Sequence, residues 1–374
     1  MPMAQLPADR TKLNAAVQNQ QPSFIADAIA NREALIEAYD TIDMLYNFTA
    51  GLVAGGKLQP YPHGLYRNAI INGNFDVWQR GTSFTSSGYT ADRWVIADDG
   101  GTPSYTVTQE SFTPGQTAVP GEPRYFTKIS VSATSVGAIV FGQRVEDVRT
   151  FAGQKATLSF YARADVPTTG SQVTSAMFQI FGTGGSAQVG VLEYPIALTT
   201  SWQRYSVTFN VPSIAGKIIG QNSMLYVQPI RISSSAPLTN YYIAQVQLCA
   251  GDVALPYQPR SFAEELVLCQ RYYEKSYDLD IAPGSTNTNG MIQFNSGVPT
   301  TNPIYIPVQF KVAKRIAPTV TLYDGAGAPG MVYKGANGKT ASLSRVGVSG
   351  FVGGTADSTN SSDLVFHYTA DAEL

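Results

Sequence analysis

The chain has 374 residues, enough for two or three domains and more than one buried core. Charged residues make up only 14% of it, against about 25% in ordinary soluble proteins, while Gly, Pro and Tyr number 34, 22 and 21. A net charge of −2 without any visible cluster of Lys and Arg argues against a nucleic-acid partner, because neutralising phosphates needs such clusters. The composition suits strands joined by many turns under a surface of Ser, Thr, Asn and Gln. The N-terminus MPMAQLPADRTKLNAAV lacks the apolar run of a signal peptide, and no segment approaches the ~20 apolar residues of a membrane helix, so membrane insertion is not expected.

The first predicted element is a helix from about Ser23 to Phe48, with Pro22 before it and Ser23 as its N-cap. Phe24, Ala28, Asn31, Leu35, Ala38, Ile42, Leu45, Thr49 and Leu52 step by fours and threes, a heptad seam that Ile25, Ile29, Ile36 and Tyr39 widen. A broad apolar face needs a partner. Phe24, Ala28, Leu35, Ile42 and Leu45 are the expected oligomerisation contacts, the alternative being packing back onto the same chain. Residues 1–58 thus read as a helical attachment segment, followed by a Gly- and Pro-rich linker to 65.

Residues 66–258 carry eight alternating segments: YTVTQESF, RYFTKISVSA, GAIVFGQRV, ATLSFYARA, AMFQIFG, YSVTFNV, MLYVQPIRIS and YYIAQVQL. Short strands parted by Gly, Pro, Ser and Thr clusters predict a two-sheet sandwich of jelly-roll type. Pro229 implies an edge or a bulge. Asn72–Phe75 reads as a turn, with Trp78, Phe84 and Trp94 as large anchors around it. Residues 259–277 predict a helical joint, capped by Ser261 with Glu264 three residues on. Cys249 falls on a strand and Cys269 on this helix; two buried thiols are expected rather than a disulfide. Residues 278–374 predict a second antiparallel β domain, with long polar loops SGVPTTNP, DGAGAPG, GANGK and GGTADSTNSSD.

Chemistry is hard to assemble from these residues. Two histidines, His63 and His367, are too few for a triad or a His-rich metal site, and GxSxG, GxxxxGKS/T and HExxH patterns are absent. No catalytic residue, metal site or cofactor is expected. Asp92 and Arg93 are expected to form a structural hydrogen-bonded pair near Trp94. Binding a sugar asks for less, an aromatic face with amides or charged groups beside it. Trp78, Trp94 and Trp202 offer platforms in the sandwich, each with core filling as its competing role. Trp78 with Tyr305, Tyr323, Tyr333, Phe351 and Tyr368 are the glycan-binding candidates. Strand alternation turns Tyr305 away from Ile304 and Ile306, and Tyr368 away from His367.

NGNFDVWQRG with YTADRW, then LSFYARA, WQRYSVTFNVP, AQVQLCAGDVALPYQPRSF and EELVLCQRYYEK resemble, in that order, the carbohydrate-binding jelly rolls of bacteriophage structural proteins and the joint that follows them in tail fibres. The resemblance covers residues 66 to about 275. It implies a virion fibre protein made in the host bacterial cytoplasm, a homotrimer joined to other tail proteins through its N-terminal segment. It also implies multivalent, non-catalytic binding to host cell-surface polysaccharide, with the last domain as the receptor-binding tip. The alternatives are a structural collar, baseplate or head fibre that binds no glycan, and a virion-borne glycan depolymerase.

Overall fold

In Lys155–Ala164 every second residue, Ala156, Leu158, Phe160, Ala162 and Ala164, is fully buried, the period of a strand with one face on a core. The same alternation repeats along the chain and builds two stacked sheets. The computed structural model describes residues 68–335 and 337–374, which form one compact unit. The expected N-terminal helix, with Phe24, Ala28, Leu35, Ile42 and Leu45, lies outside the described residues.

The first sheet runs β1 (Ser83–Phe84), β4 (Ser104–Ser111), β5 (Tyr125–Ala133), β12 (Asn240–Ala250), β7 (Lys155–Ala164), β10 (Gln203–Asn210). The second runs β2 (Gly88–Tyr89), β3 (Trp94–Asp99), β6 (Ala138–Glu146), β11 (Met224–Ser233), β8 (Val173–Ile180), β9 (Val189–Pro195). All pairings are antiparallel, and neighbours such as β12 and β5 are distant in sequence, the crossed order of a jelly roll. All eight expected strands are present. Strand β9, whose residues are mostly exposed, carries too little apolar alternation to be read from sequence. Pro229 sits at a bulge between Val227 and Ile230, as expected, but on a central strand: β11 lies between β6 and β8.

Phe75, Trp94 and Phe141 pack together in the sandwich core, Trp94 stacked on Phe141 and Phe75 tilted against both. The NGNF segment is a turn that feeds them. Asn72 and Phe75 both take positive φ, 57° and 58°, and the Asn72 amide donates to the carbonyls of Val77 (2.8 Å) and Asp92 (3.1 Å). Such an Asn replaces the backbone partners that a left-handed turn lacks. Asp92 and Arg93 are both buried and structural, but they do not pair with each other. Asp92 accepts from the Gln79 backbone N–H at 2.8 Å, while Arg93 lies 3.4 Å over the Tyr272 ring and pairs with Glu373. Both residues lie in the turn before β3, where Arg93 takes φ 73°, a left-handed conformation that sends its guanidinium to Tyr272 and Glu373 and away from Asp92.

Ser261 and Glu264 form the expected capping box on α1 (Phe262–Gln270). The joint departs from the expected single helix after Gln270. Tyr273–Lys275 forms β13, paired with β21 (Ser361–Asp371), because Tyr272, Tyr273 and Tyr277 bury more surface against a sheet than on a free helix. Both cysteines are buried, Cys249 on β12 and Cys269 on α1.

The last hundred residues form a small second sandwich. Strand β21 is its axis, flanked by β13, β14 (Ile292–Thr300), β16 (Thr319–Tyr323) and β17 (Met331–Lys334), with β18 (Asn337–Thr340) beyond β17. Facing it is β15 (Ile304–Gln309), β20 (Gly350–Thr355), β19 (Ser342–Ser344). Leu322, Val332, Phe351, Leu364, Phe366 and Tyr368 fill the space between. The GANGK segment, expected as a loop, supplies β18 instead, a short hairpin partner for β17.

An arginine cluster joins the two sandwiches. Arg80 pairs with Asp371 at 3.0 Å and lies over the Tyr273 ring at 3.7 Å; Arg271 pairs with Glu146 at 3.0 Å; Arg315, held by the carbonyls of Ala372 and Glu373, donates across to Asn222 Oδ1 at 2.8 Å. Planar guanidinium groups both stack and donate in forks, which suits a crowded junction.

Candidate functional site

The outer face of the first sheet is built from the residues that alternate with its core. Tyr161 on β7 and Arg204 on β10 lie directly opposite each other in the register. Gln245 joins them from β12 through a bulge: the β12–β7 register shifts between Ala244 and Gln247, and Gln245 takes φ 49°. A bulge re-aims the side chain it carries, and a positive φ at a residue other than Gly is strain held by its surroundings. Here the surroundings are specific. Val246 donates its N–H to the carbonyl of Gly73 at 2.9 Å, and a Cβ on Gly73 would stand 2.1 Å from the Val246 oxygen, so only glycine lets the turn meet the bulge.

Two loops rise from this floor as walls, each tied down by a floor side chain. Gln245 donates to the carbonyl of Pro120 at 2.7 Å. Opposite, Arg204 donates to the carbonyls of Ala254 (3.2 Å) and Leu255 (2.5 Å), and Gln247 donates to Leu255 and Pro256 while accepting from the N–H of Gln258 at 2.9 Å. The enclosed cleft has a volume of about 240 Å³ and is lined by Asn74, Pro120, Gly121, Tyr161, Arg204, Gln245, Pro256, Tyr257 and Pro259. That lies just under the ~300–1,000 Å³ of pockets that engulf a small molecule. It fits a short part of a longer ligand.

Asp76 interacts with two residues of the cleft, Asn74 and Tyr257. Burial lifts its carboxyl to about 6, against hydrogen bonding from Asn74 that pulls it down, with Glu265 and Arg124 as the nearby charges. Burial also raises Glu265, although Arg260 stands 3.1 Å away, and pushes up the Tyr257 hydroxyl. On the same sheet face, Phe112, Phe126, Trp202 and Tyr242 form an aromatic cluster with ring centres 4.7–6.2 Å apart. Arg163 covers Tyr242 at 3.7 Å, and Asp165 accepts from Arg163, Asn240 and Tyr242.

The candidates read from sequence are scattered. Trp78 is buried, stacked on Phe84, with its indole N–H on the carbonyl of Phe75; Trp94 is in the core; Trp202 alone of the three remains half-exposed. Phe351 and Tyr368 are buried in the second sandwich and offer no ring face to a ligand. Tyr305 points outward while Ile304 is buried, as alternation requires, but Tyr368 and His367 are both buried, because β21 is covered on both faces. Tyr323 and Tyr333 are half-buried on different strands. The structure does not bring these six together. Tyr161, Arg204 and Gln245 were missed as a site: the alternation of LSFYARA turns Tyr161 outward, but nothing in AQVQL marks the bulge that presents Gln245.

Comparison with known structures finds similar chains over about half of this one. A CBM4 carbohydrate-binding module shares 18% identity at a TM-score of 0.32, covering 48% of this chain and 98% of the module. The C-terminal family 22 carbohydrate-binding module of Clostridium thermocellum Xyn10B shares 12% at 0.29, covering 47% and 98%. The enzymatically active domain of bacteriophage CBA120 tailspike protein 4 shares 18% at 0.31, covering 50% of this chain but 22% of the tailspike chain. No protein-family model and no curated protein matches the chain.

Proposed function

We propose that this chain is a non-catalytic glycan-binding fibre protein of a bacteriophage virion, engaging host-surface polysaccharide through the cleft on the first sheet. The observation that carries the glycan reading is the preformed cleft, with an aromatic floor at Tyr161, polar groups from Asn74, Gln245 and Arg204, and both walls pinned from below. Walls already fixed cost little ordering on binding. An aromatic face beside amides is the chemistry a sugar ring needs, apolar C–H faces on one side and hydroxyls on the rim. The lining contains no carboxylate, whereas glycoside cleavage uses two flanking the bond, which favours binding over depolymerisation.

The virion assignment rests on the resemblance of residues 66 to about 275 to phage fibre joints. Shallow clefts bind weakly, so a homotrimer carrying three of them gains by avidity. The heptad seam from Phe24 to Leu45 supports that assembly and attachment to other tail proteins. The test is binding of the purified full chain to extracted surface polysaccharide of candidate hosts, beside a Tyr161→Ala variant. Binding that the variant loses supports the reading. Binding that it keeps moves the site elsewhere, and absence of binding for both favours a structural fibre.

A further inference from the structure

The aromatic cluster on the outer face of the first sheet stands at one end of the cleft. Tyr161 of the cleft floor and Arg163, two residues on, share the outward side of β7, and Arg163 lies 3.7 Å over the Tyr242 ring and 5.8 Å from that of Trp202. On β12, Ile243 faces the core, so Tyr242 and Ala244 face outward. Ala244 stands opposite Tyr161 in the register and is fully buried, which means that it is covered from outside. An open trough running on past Tyr161 would leave it bare.

The cover is a ridge. Phe112 follows β4 and Trp202 precedes β10, strands that β5, β12 and β7 separate in the sheet. Four strand spacings amount to about 19 Å, yet the two ring centres are 5.4 Å apart. The two segments therefore lean toward each other above the intervening strands, where Phe126 and Tyr242 pack against Trp202 at 5.5 and 6.2 Å. At the other end of the floor, Ser159 lies opposite Gln247, which holds the loop at Leu255, Pro256 and Gln258. From Arg163 to Ser159 along β7 is about 13 Å, and side chains of both barriers take up part of that span. Gln245 ties the Pro120 loop over a third side. On the fourth, Arg204 is exposed on the edge strand β10.

We infer, resting on the glycan reading above, that the cleft is a blind pocket for the terminal sugar residue of a polysaccharide chain, and that the ridge between Phe112 and Trp202 excludes residues of the chain's interior. An interior residue continues in two directions and needs a groove open at both ends. A terminal residue continues in one. It enters beside Arg204, sets a ring face on Tyr161, and leaves the rest of the polymer in solvent. The volume of about 240 Å³, small for a ligand enclosed whole, suits a chain end.

The test is competition for the full chain, bound to immobilised surface polysaccharide of candidate hosts, by the same polysaccharide in solution, either intact or cut by partial acid hydrolysis to about a tenth of its mean length. Cutting multiplies chain ends at constant mass, so the mass giving half-inhibition should fall about tenfold. Interior binding predicts the opposite, because a long chain offers many sites to a multivalent protein and shortening it removes that avidity. An equal or higher mass for the fragments overturns the inference and leaves glycan binding standing, whereas no binding to any polysaccharide overturns the glycan reading and the inference with it. Trp202→Ala breaches the ridge, so its fragment advantage should shrink as intact chains gain access. A variant that binds and keeps the full advantage overturns the role of the ridge. Should the variant fail to fold or bind, the wild-type ratio alone decides.

Discussion

The two sandwiches of this chain present their aromatic residues in opposite ways. The larger one sets Tyr161 between loops that Gln245, Gln247 and Arg204 hold at fixed positions. The smaller one leaves Tyr305 and Phe294 about half exposed on its strands, while Phe310, Phe351, Phe366 and Tyr368 turn inward. Long polar loops alone do not make a cleft; loops fastened to a sheet face do. Polar bonding in the smaller sandwich serves its interior instead. Glu274 and Lys314, both without exposed side-chain surface, pair at 2.6 Å, and Glu274 also takes the Tyr368 hydroxyl at 2.7 Å and the N–H of Lys311.

That interior pair gives the largest expected effect. Glu274→Ala removes the counter-charge of buried Lys314 and the acceptor of the Tyr368 hydroxyl and should cost about 3–5 kcal/mol. Urea unfolding shows whether the contrast between the sandwiches extends to stability. Two transitions, with only one displaced, would make them separate cooperative units; one shifted transition would mean that the arginine junction couples them. Gly73→Ala comes next. Its methyl meets the Val246 carbonyl at 2.1 Å, so it should cost about 1–3 kcal/mol and abolish polysaccharide binding by pushing the bulge away. Unchanged binding would detach the cleft from the bulge geometry. A paired substitution compares the regions directly. Tyr161→Ala should weaken polysaccharide binding about two- to tenfold, the scale of one lost ring contact, while Tyr305→Ala leaves it unchanged. The reverse pattern would return the site to the smaller sandwich.

What could be read beforehand follows from what is local. Alternation exposes strands, so LSFYARA and YYIAQVQL were legible with their inward faces, as was the Ser261–Glu264 cap. The order in which strands meet is non-local, and so is the bulge. Gln245 reaches Pro120, 125 residues away, and no pattern in either segment announces it. Which of the aromatic candidates end up buried is non-local for the same reason. Burial of Tyr368 depends on Phe310 and Phe351, and that of Trp78 on Phe84, contacts made only when distant strands close. The tyrosines after α1 were legible as buried, but not as a strand, since their partner β21 is the last in the chain.

A pH dependence separates the regions by sign. Burial lifts Asp76 to about 6 from an ordinary 3.8, so the folded chain holds this proton more tightly than the unfolded one. Its contribution is favourable below 3.8 and is lost as pH rises through about 6. His367 acts oppositely: its lowered pKa favours the fold above 6.5 and the contribution is lost on acidification. Asp76→Asn should therefore raise stability at neutral pH and make the protein more sensitive to acid, while His367→Gln should make it less so. Urea midpoints measured between about pH 4 and pH 7.5 distinguish these slopes, although Asp92, raised by the same burial, leaves part of the Asp76-like slope in both variants. Slopes that move in the same direction would mean that one of the two groups titrates without its burial, and the region that contains it would be more open in solution than its packing implies.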